Sequence, residues 1–298
     1  MLNTYVVEGG IGKCVAFSAL IPELRKKSEI QIYTPYIGCF ANNPDVKLVL
    51  EGTLPLQDSR IMASDNIYYC EPYKSNFQFG KQHLIESYCE HHGVTFDKNL
   101  KPKLYTGQHE EAVKKWLTKF DYAKQGVEKY ILVQFSGGQP KWNYGDNVPY
   151  TNINPNRNYQ PFLAQQVINY LKEEYKDTTI IDCSLPNEPS YKDTIKCDLH
   201  WAEIHELLKG AEGFISIDSC LQHFSASAEK HGVVIWGSTR WTQFGYSHNT
   251  NLHFHMGNKW DETKFIDSDP RNNMVEPKLV IDEYKKIDKN KPVACATE

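Results

Sequence analysis

The chain has 298 residues, 40% of them hydrophobic and 23% charged, with a formal net charge of −4. That length suits two domains of roughly 100–200 residues each, and the composition is ordinary for a globular protein. The slightly acidic balance excludes the strong overall basic field of a general nucleic-acid binder.

No apolar run reaches the roughly 18–20 residues that span a bilayer. Met1 to Thr4 carries neither a basic region nor a small-residue cleavage site, so a cytoplasmic protein without a signal peptide is expected. None of the eight cysteines sits at CxxC spacing. Most lie in apolar stretches, where cysteine behaves as a small hydrophobe, which argues for a reducing compartment and against a disulfide framework or a zinc site.

Taken in chain order, Tyr5-Val6-Val7 reads as a strand that stops at Glu8-Gly9-Gly10-Ile11-Gly12-Lys13. Phe17, Leu20, Ile21 and Leu24 follow at helical spacing, with Pro22 inside the pattern predicting a kink or an end. Glu29 to Tyr33 alternates like a strand, and further strands are expected near Val46–Leu50 and Ile67–Tyr69. Helices are expected over Lys81–Cys89 and Glu110–Phe120, and the polar stretch Asp121–Glu128 reads as a linker.

The pattern then restarts. Tyr130–Phe135 reads as a buried strand, broken by Ser136-Gly137-Gly138, and Lys141–Arg157 as a long polar loop. Leu163, Val167, Tyr170 and Leu171 mark a helix, Thr178–Ile181 a strand, and Trp201, Ile204 and Leu208 a helix closed by Gly210. Phe214–Ile217 is a strand, Leu221–Lys230 a helix, Val233–Trp236 a strand, and Val280, Tyr284 and Ile287 mark the last helix. Strand and helix alternate in both halves, the signature of α/β domains built on parallel sheets. The expected division is 1–126, then 127–275, then a C-terminal segment 276–298.

Three turns carry chemistry. In Ile217-Asp218-Ser219-Cys220-Leu221-Gln222-His223 a strand runs directly into a helix. The first N–H groups of a helix lack internal partners and sit at the positive end of its dipole, so the turn suits a diphosphate. Asp218 or Ser219 as an ordinary cap fits the same residues, and both readings stay open. Ser136-Gly137-Gly138, with Lys141 beyond, is either a phosphate-approaching turn or a plain glycine turn. Gly9-Gly10-Ile11-Gly12-Lys13 lacks both the Walker A spacing and the dinucleotide fingerprint. It lines a cleft or simply packs strand on helix. His91-His92 and His253-x-His255 lack a third ligand at suitable spacing, so no metal is expected.

In this order, the Gly-Gly-Ile-Gly turn, the helix with Pro22, the Ser136–Trp142 segment, Ile217–His223 and Val234-Ile235-Trp236-Gly237-Ser238-Thr239 resemble the heptosyltransferases of glycosyltransferase family nine. The likeness covers roughly residues 5–250 and is densest in the second half. It implies a GT-B fold, two Rossmann-like doubly wound domains facing across a cleft, with the last helix crossing back to the first domain. It also implies an inverting, metal-independent glycosyltransferase with a nucleotide-diphosphate sugar as co-substrate and no cofactor. Ser136, Gly137, Lys141, Glu188, Asp218, Ser219, Cys220, Leu221, Gln222 and His223 would face the donor, Glu188 on its ribose. Gly10, Ile11, Gly12 and Tyr36 would line the acceptor side.

Lys13 stands where the family's turn has an aspartate base. A protonated lysine cannot take a proton, though it could steady the leaving phosphate or bind an anionic acceptor. Glu8 is the expected substitute base, with Asp146 and Asp65 behind it, and Asp218 is counted with Glu8 and Lys13 as catalytic. The acceptor is a bacterial surface glycan or a hydroxylated DNA base, with DNA entering only in that role. A flipped base would need an aromatic, basic cleft such as Tyr36, Tyr69, Tyr73 and Lys74. The alternatives are a non-catalytic nucleotide-sugar or glycan-binding protein on the same scaffold, and another two-domain sugar-nucleotide enzyme such as an epimerase.

Overall fold

Strand β1 (Leu2–Val6) is the hub of a four-stranded sheet in the order β3-β2-β1-β4, with β2 at Glu29–Thr34, β3 at Leu48–Glu51 and β4 at Asn66–Tyr69. Every pair in it is parallel. The computed structural model describes residues 1–52, 59–119, 129–137, 157–185, 188, 190–254 and 274–287. The chain divides into two compact units, Met1–Gln108 and His109–Glu298.

In the first unit the expected kinked helix is two helices, α1 (Ile11–Ser18) and α2 (Ile21–Arg25). Pro22 falls in the first turn of α2, where its missing N–H costs no internal hydrogen bond. The one-turn helices α3 (Ser59–Met62) and α4 (Ser75–Gln78) are too short to leave a period in the sequence. Helix α5 (Leu84–His91) follows. Phe17 is fully buried and meets Tyr88 edge-on at 5.3 Å and Tyr5 at 5.8 Å, tying α1 and α5 to β1.

The second unit begins with α6 (Glu110–Thr118), ahead of the expected boundary at 126. Its Trp116 indole N–H donates to Asp198, just before α8 (Trp201–Gly210). The other elements are β5 (Tyr130–Gln134), α7 (Pro161–Glu174), β6 (Thr179–Asp182), β7 (Ile195–Lys196), β8 (Gly213–Ile217), α9 (Cys220–Ala228), β9 (Gly232–Trp236), α10 (Trp241–Phe244), β10 (Thr250–His253) and α11 (Pro277–Lys285). The sheet order is β10-β9-β8-β5-β6-β7, again wholly parallel. Counted from β5, that is the doubly wound order 3-2-1-4-5-6.

Alternate residues of each central strand explain the layering. Ile131, Val133, Ile215, Ile217, Val233 and Ile235 share one core with Val167 and Leu171 of α7 and Val280, Ile281 and Tyr284 of α11. Leu132, Phe214 and Val234 are equally buried and, by the two-residue pleat, face the other side. Helix α11 therefore packs on the second unit. The last helix, expected to cross back to the first domain, thus has Val280, Ile281 and Tyr284 in the second unit's core; residues 288–298, the expected linker and most of the 141–157 loop lie outside those described.

Candidate functional site

Open parallel sheets bind ligands at the carboxyl ends of the strands where the connections diverge. In the second unit that point lies between β5 and β8. The chain leaves β5 through Ser136 and Gly137 and leaves β8 through Asp218 and Ser219 into α9. These are the two turns singled out in the sequence, and the sheet order makes them neighbours. A β-carbon on Gly137 would stand 2.7 Å from Ser219 Oγ and 3.3 Å from its Cβ, so any larger residue would have to displace the Ser219 side chain. The Gly137 N–H donates to Asn158 Oδ1 at 3.0 Å. The glycine therefore clears space; its N–H is already engaged.

Of the two readings of the α9 turn, side-chain capping is the one the geometry disfavours. Ser219 is the residue before the helix, in extended conformation, and its side chain makes no capping hydrogen bond. The Asp218 carboxylate is turned elsewhere. It accepts from Thr239 Oγ1 at 2.5 Å and lies 3.5 Å from Arg157 Nε, which also donates to the Asp218 carbonyl. The first N–H groups of α9 thus keep the uncapped, positive character that anions seek.

The Asp218–Thr239 bond joins the two sequence elements that carried the resemblance. The Asp218 side chain, expected among the catalytic groups, is 4% exposed and braces the turn after β9 and the Arg157 guanidinium. Arg157 and Asn158 were missed in the sequence. They close a loop without periodicity, and only the fold brings them to the sheet edge.

The remaining donor-side residues divide by what their side chains do. Glu188 is buried, and its Oε2 accepts from the Leu185 N–H at 2.7 Å. Burial pushes its carboxyl pKa up, against the Leu185 hydrogen bond and the nearby Ser136 hydroxyl. That hydroxyl makes no full hydrogen bond itself. Burial likewise raises the Cys220 thiol, which touches the Gln134 amide at 3.9 Å.

Leu221, Gln222 and His223 lie inside the unit. Gln222 Nε2 donates to the Phe244 carbonyl at 3.1 Å, and His223 Nδ1 meets the Tyr246 hydroxyl at 3.1 Å. Both side chains point to α10 and its following turn, so the expected cradle over Ser219 to Gln222 is one of backbone groups. What this stretch offers a ligand is backbone. Lys141 and Gly138 fall outside the described residues.

The first unit has its own divergence point, between β1 and β4. Gly9 has φ +93°, and a β-carbon there would strike Lys13 Cδ at 2.8 Å, so this glycine both makes the turn and admits the lysine stem. Gly10 precedes α1 without a side-chain cap, and Ile11, Gly12, Glu8 and Tyr36 are half-buried around it. Lys13 Nζ lies 3.1 Å from Glu71 Oε2 and 3.9 Å from the centre of the Tyr73 ring. Its ammonium is matched by a carboxylate and an aromatic face.

Asp65, a weaker candidate base, accepts from the Leu2 N–H, at the amino end of β1 and so at the wrong edge of a parallel sheet. Asp146 and His255 fall outside the described residues. His92 packs edge-on against Tyr5 and Phe17.

No protein-family model and no curated protein matches this chain. Solved structures do. The chain is similar to a glycosyl transferase family 9 protein from Veillonella parvula, with 10% identity, TM-score 0.68, and 95% of this chain covering 96% of that one. It is equally similar to the ADP-heptose lps heptosyltransferase II of E. coli, with 10% identity, TM-score 0.68 and coverage of 96% and 98%. The E. coli heptosyltransferase WaaC with ADP follows at 9% identity, TM-score 0.58 and coverage of 95% and 99%. The fold is thus that of the family-nine glycosyltransferases, as the sequence resemblance implies, and both sheets fit Rossmann-like domains.

Proposed function

We propose that the protein is an inverting, metal-independent glycosyltransferase that moves a sugar from a nucleotide-diphosphate sugar to a hydroxyl acceptor. The observation that carries this reading is the uncapped amino terminus of α9 at the divergence point of the second sheet, with Arg157 beside it. A departing nucleoside diphosphate gathers negative charge. Preorganised N–H groups and a guanidinium meet that charge without a divalent cation. The fold supports the reading, and among its neighbours WaaC is a heptosyltransferase seen with ADP.

In this reading the second unit holds the donor, through the turns at Ser136–Gly137 and Asp218–Gln222 and through Glu188. The first unit holds the acceptor around Gly10, Ile11, Gly12 and Tyr36. A glycan hydroxyl suits that surface better than an extruded DNA base. The Tyr73 ring is stacked on Phe77 at 5.1 Å and covered by Lys13, and the Lys74 ammonium is 2.7 Å from His91 Nδ1. Of the aromatic and basic groups that a base would need, Tyr73 and Lys74 are thus already engaged. No helix among the described residues is long and apolar enough to cross a membrane.

The test is a thermal-shift series with ADP, UDP, GDP and CDP and their sugars, followed by turnover in EDTA and assignment of the product anomer. A ligand that binds only the folded chain raises its melting temperature. Silence toward every nucleoside diphosphate sinks the proposal; a retained anomeric configuration or loss of activity in EDTA removes its finer part. A second reading, a nucleotide-sugar-binding protein that does not transfer, draws on Lys13 at the position of the family's base. It predicts binding without turnover.

A further inference from the structure

Transfer with inversion requires a group that takes the acceptor proton, and Glu8 at the end of β1 is one carboxylate placed to do so. We infer that Glu71, after β4, is that base and that Lys13 is its positioning residue; the inference rests on the proposed transferase function. A base must be open to its substrate and held in one orientation. The Glu71 side chain is 56% exposed, yet three contacts fix it. Lys13 Nζ lies 3.3 Å and 3.1 Å from its two oxygens, and the Tyr73 N–H donates to Oε1 at 3.0 Å.

The lysine is held in turn. Its side chain is 13% exposed, its stem fills the space left by Gly9, and its ammonium rests on the Tyr73 ring. Surface ion pairs between two long mobile side chains contribute little and orient nothing. This pair differs because one partner is packed in place on three sides. It also stands at the divergence point of the first sheet, where ligands of open parallel sheets bind.

The step balances without a further reactant. The acceptor oxygen bonds to the anomeric carbon as that carbon's bond to the diphosphate oxygen breaks. The bonding pair leaves with the nucleoside diphosphate, and the acceptor proton passes to a Glu71 oxygen and then to water.

The experiment measures nucleoside diphosphate release from a panel of ADP-, UDP- and GDP-sugars, with water as acceptor, alongside ADP binding by thermal shift. Glu71→Gln is expected to lower kcat by about 10²- to 10⁴-fold with ADP binding retained. Glu71→Asp, which pulls the carboxylate back by one methylene, keeps part of the rate if the group is a base. Lys13→Met is expected to lower kcat about tenfold with KM unchanged, and Lys13→Arg to restore most of it. Wild-type turnover with Glu71→Gln within about threefold of it overturns the assignment while leaving the transferase reading intact. A larger loss in Glu8→Gln than in Glu71→Gln does the same in favour of Glu8. A wild-type chain that binds ADP but releases nothing overturns both.

Discussion

Gly137 and Ser219 belong to different βα turns, yet a single added carbon on the first would sit 2.7 Å from the hydroxyl of the second. The contact sets how closely the two turns approach beyond the ends of the paired strands β5 and β8. Gly137→Ala is expected to cost about 1–3 kcal/mol of stability, the usual range for overpacking, and to weaken ADP binding. Ser219→Ala in the same chain should recover part of both, because the oxygen is the nearer of the two clashing atoms. Denaturant unfolding and ADP titration of the single and double variants check this; a double variant no better than Gly137→Ala contradicts it.

Arg157 stands partly open at the same edge, anchored on Asp218. Arg157→Met removes a cation from the proposed diphosphate site and leaves the buried Asp218 carboxylate with only the Thr239 hydroxyl. The loss of charge-assisted bonds of about 1.5–3 kcal/mol should weaken ADP binding more than tenfold and flatten its dependence on salt. Arg157→Lys keeps the charge and should fall between. Calorimetric titration at two salt concentrations reads both effects, and unchanged ADP affinity in Arg157→Met removes Arg157 from the site.

Glu188 makes folding prefer acid. Its carboxyl pKa is raised from 4.5, chiefly by burial, so the folded chain binds this proton more readily than the unfolded chain. Its contribution is favourable below the raised value and is lost as the pH rises from 4.5 through it. Glu188→Gln should therefore melt higher than wild type at pH 7, and the difference should close toward pH 4. A gap that widens on acidification means that the ionised carboxylate, held by Leu185, is the favoured form.

His92 acts in the opposite sense. Burial, with His91, Lys74 and Lys27 nearby, pushes its pKa from 6.5 down to about 3, and its Nε2 has no hydrogen-bond partner. The unfolded chain takes up a proton that the folded one refuses. Stability contributed by the neutral ring is full above pH 6.5 and falls as the pH drops toward 3, by up to about 1.4 kcal/mol per unit. His92→Phe should flatten the acid limb of the melting profile of the first unit. An acid limb as steep as that of wild type rules the histidine out as its source.

What could be read in the sequence was whatever the chain writes locally. The strand running into α9 and the Trp236–Thr239 turn each fit within a few residues, and their buried apolar runs marked β8 and β9. The short β7, and β10 with Leu252 as its buried residue, carry no such run. Side-chain direction was legible only in part. Leu221 and Phe224 pointed to one buried face, but Gln222 and His223 are buried too because α10 and its turn cover the remaining side. Arg157, Asn158 and Glu71 reach their partners only through contacts far apart in the chain, at separations of 61, 21 and 58 residues.

Helix α11 supplies Val280, Ile281 and Tyr284 to the same core as β5, β8 and β9. On the ribosome the two units therefore face different schedules. The first sheet is complete once β4 has emerged. The second has an apolar face only partly covered, by α7, until residues near 285 are free, roughly 9–35 s after Gln108 at about 5–20 residues per second. For that interval the second unit is the vulnerable half of the nascent chain, and a stop codon ahead of α11 would leave it so permanently.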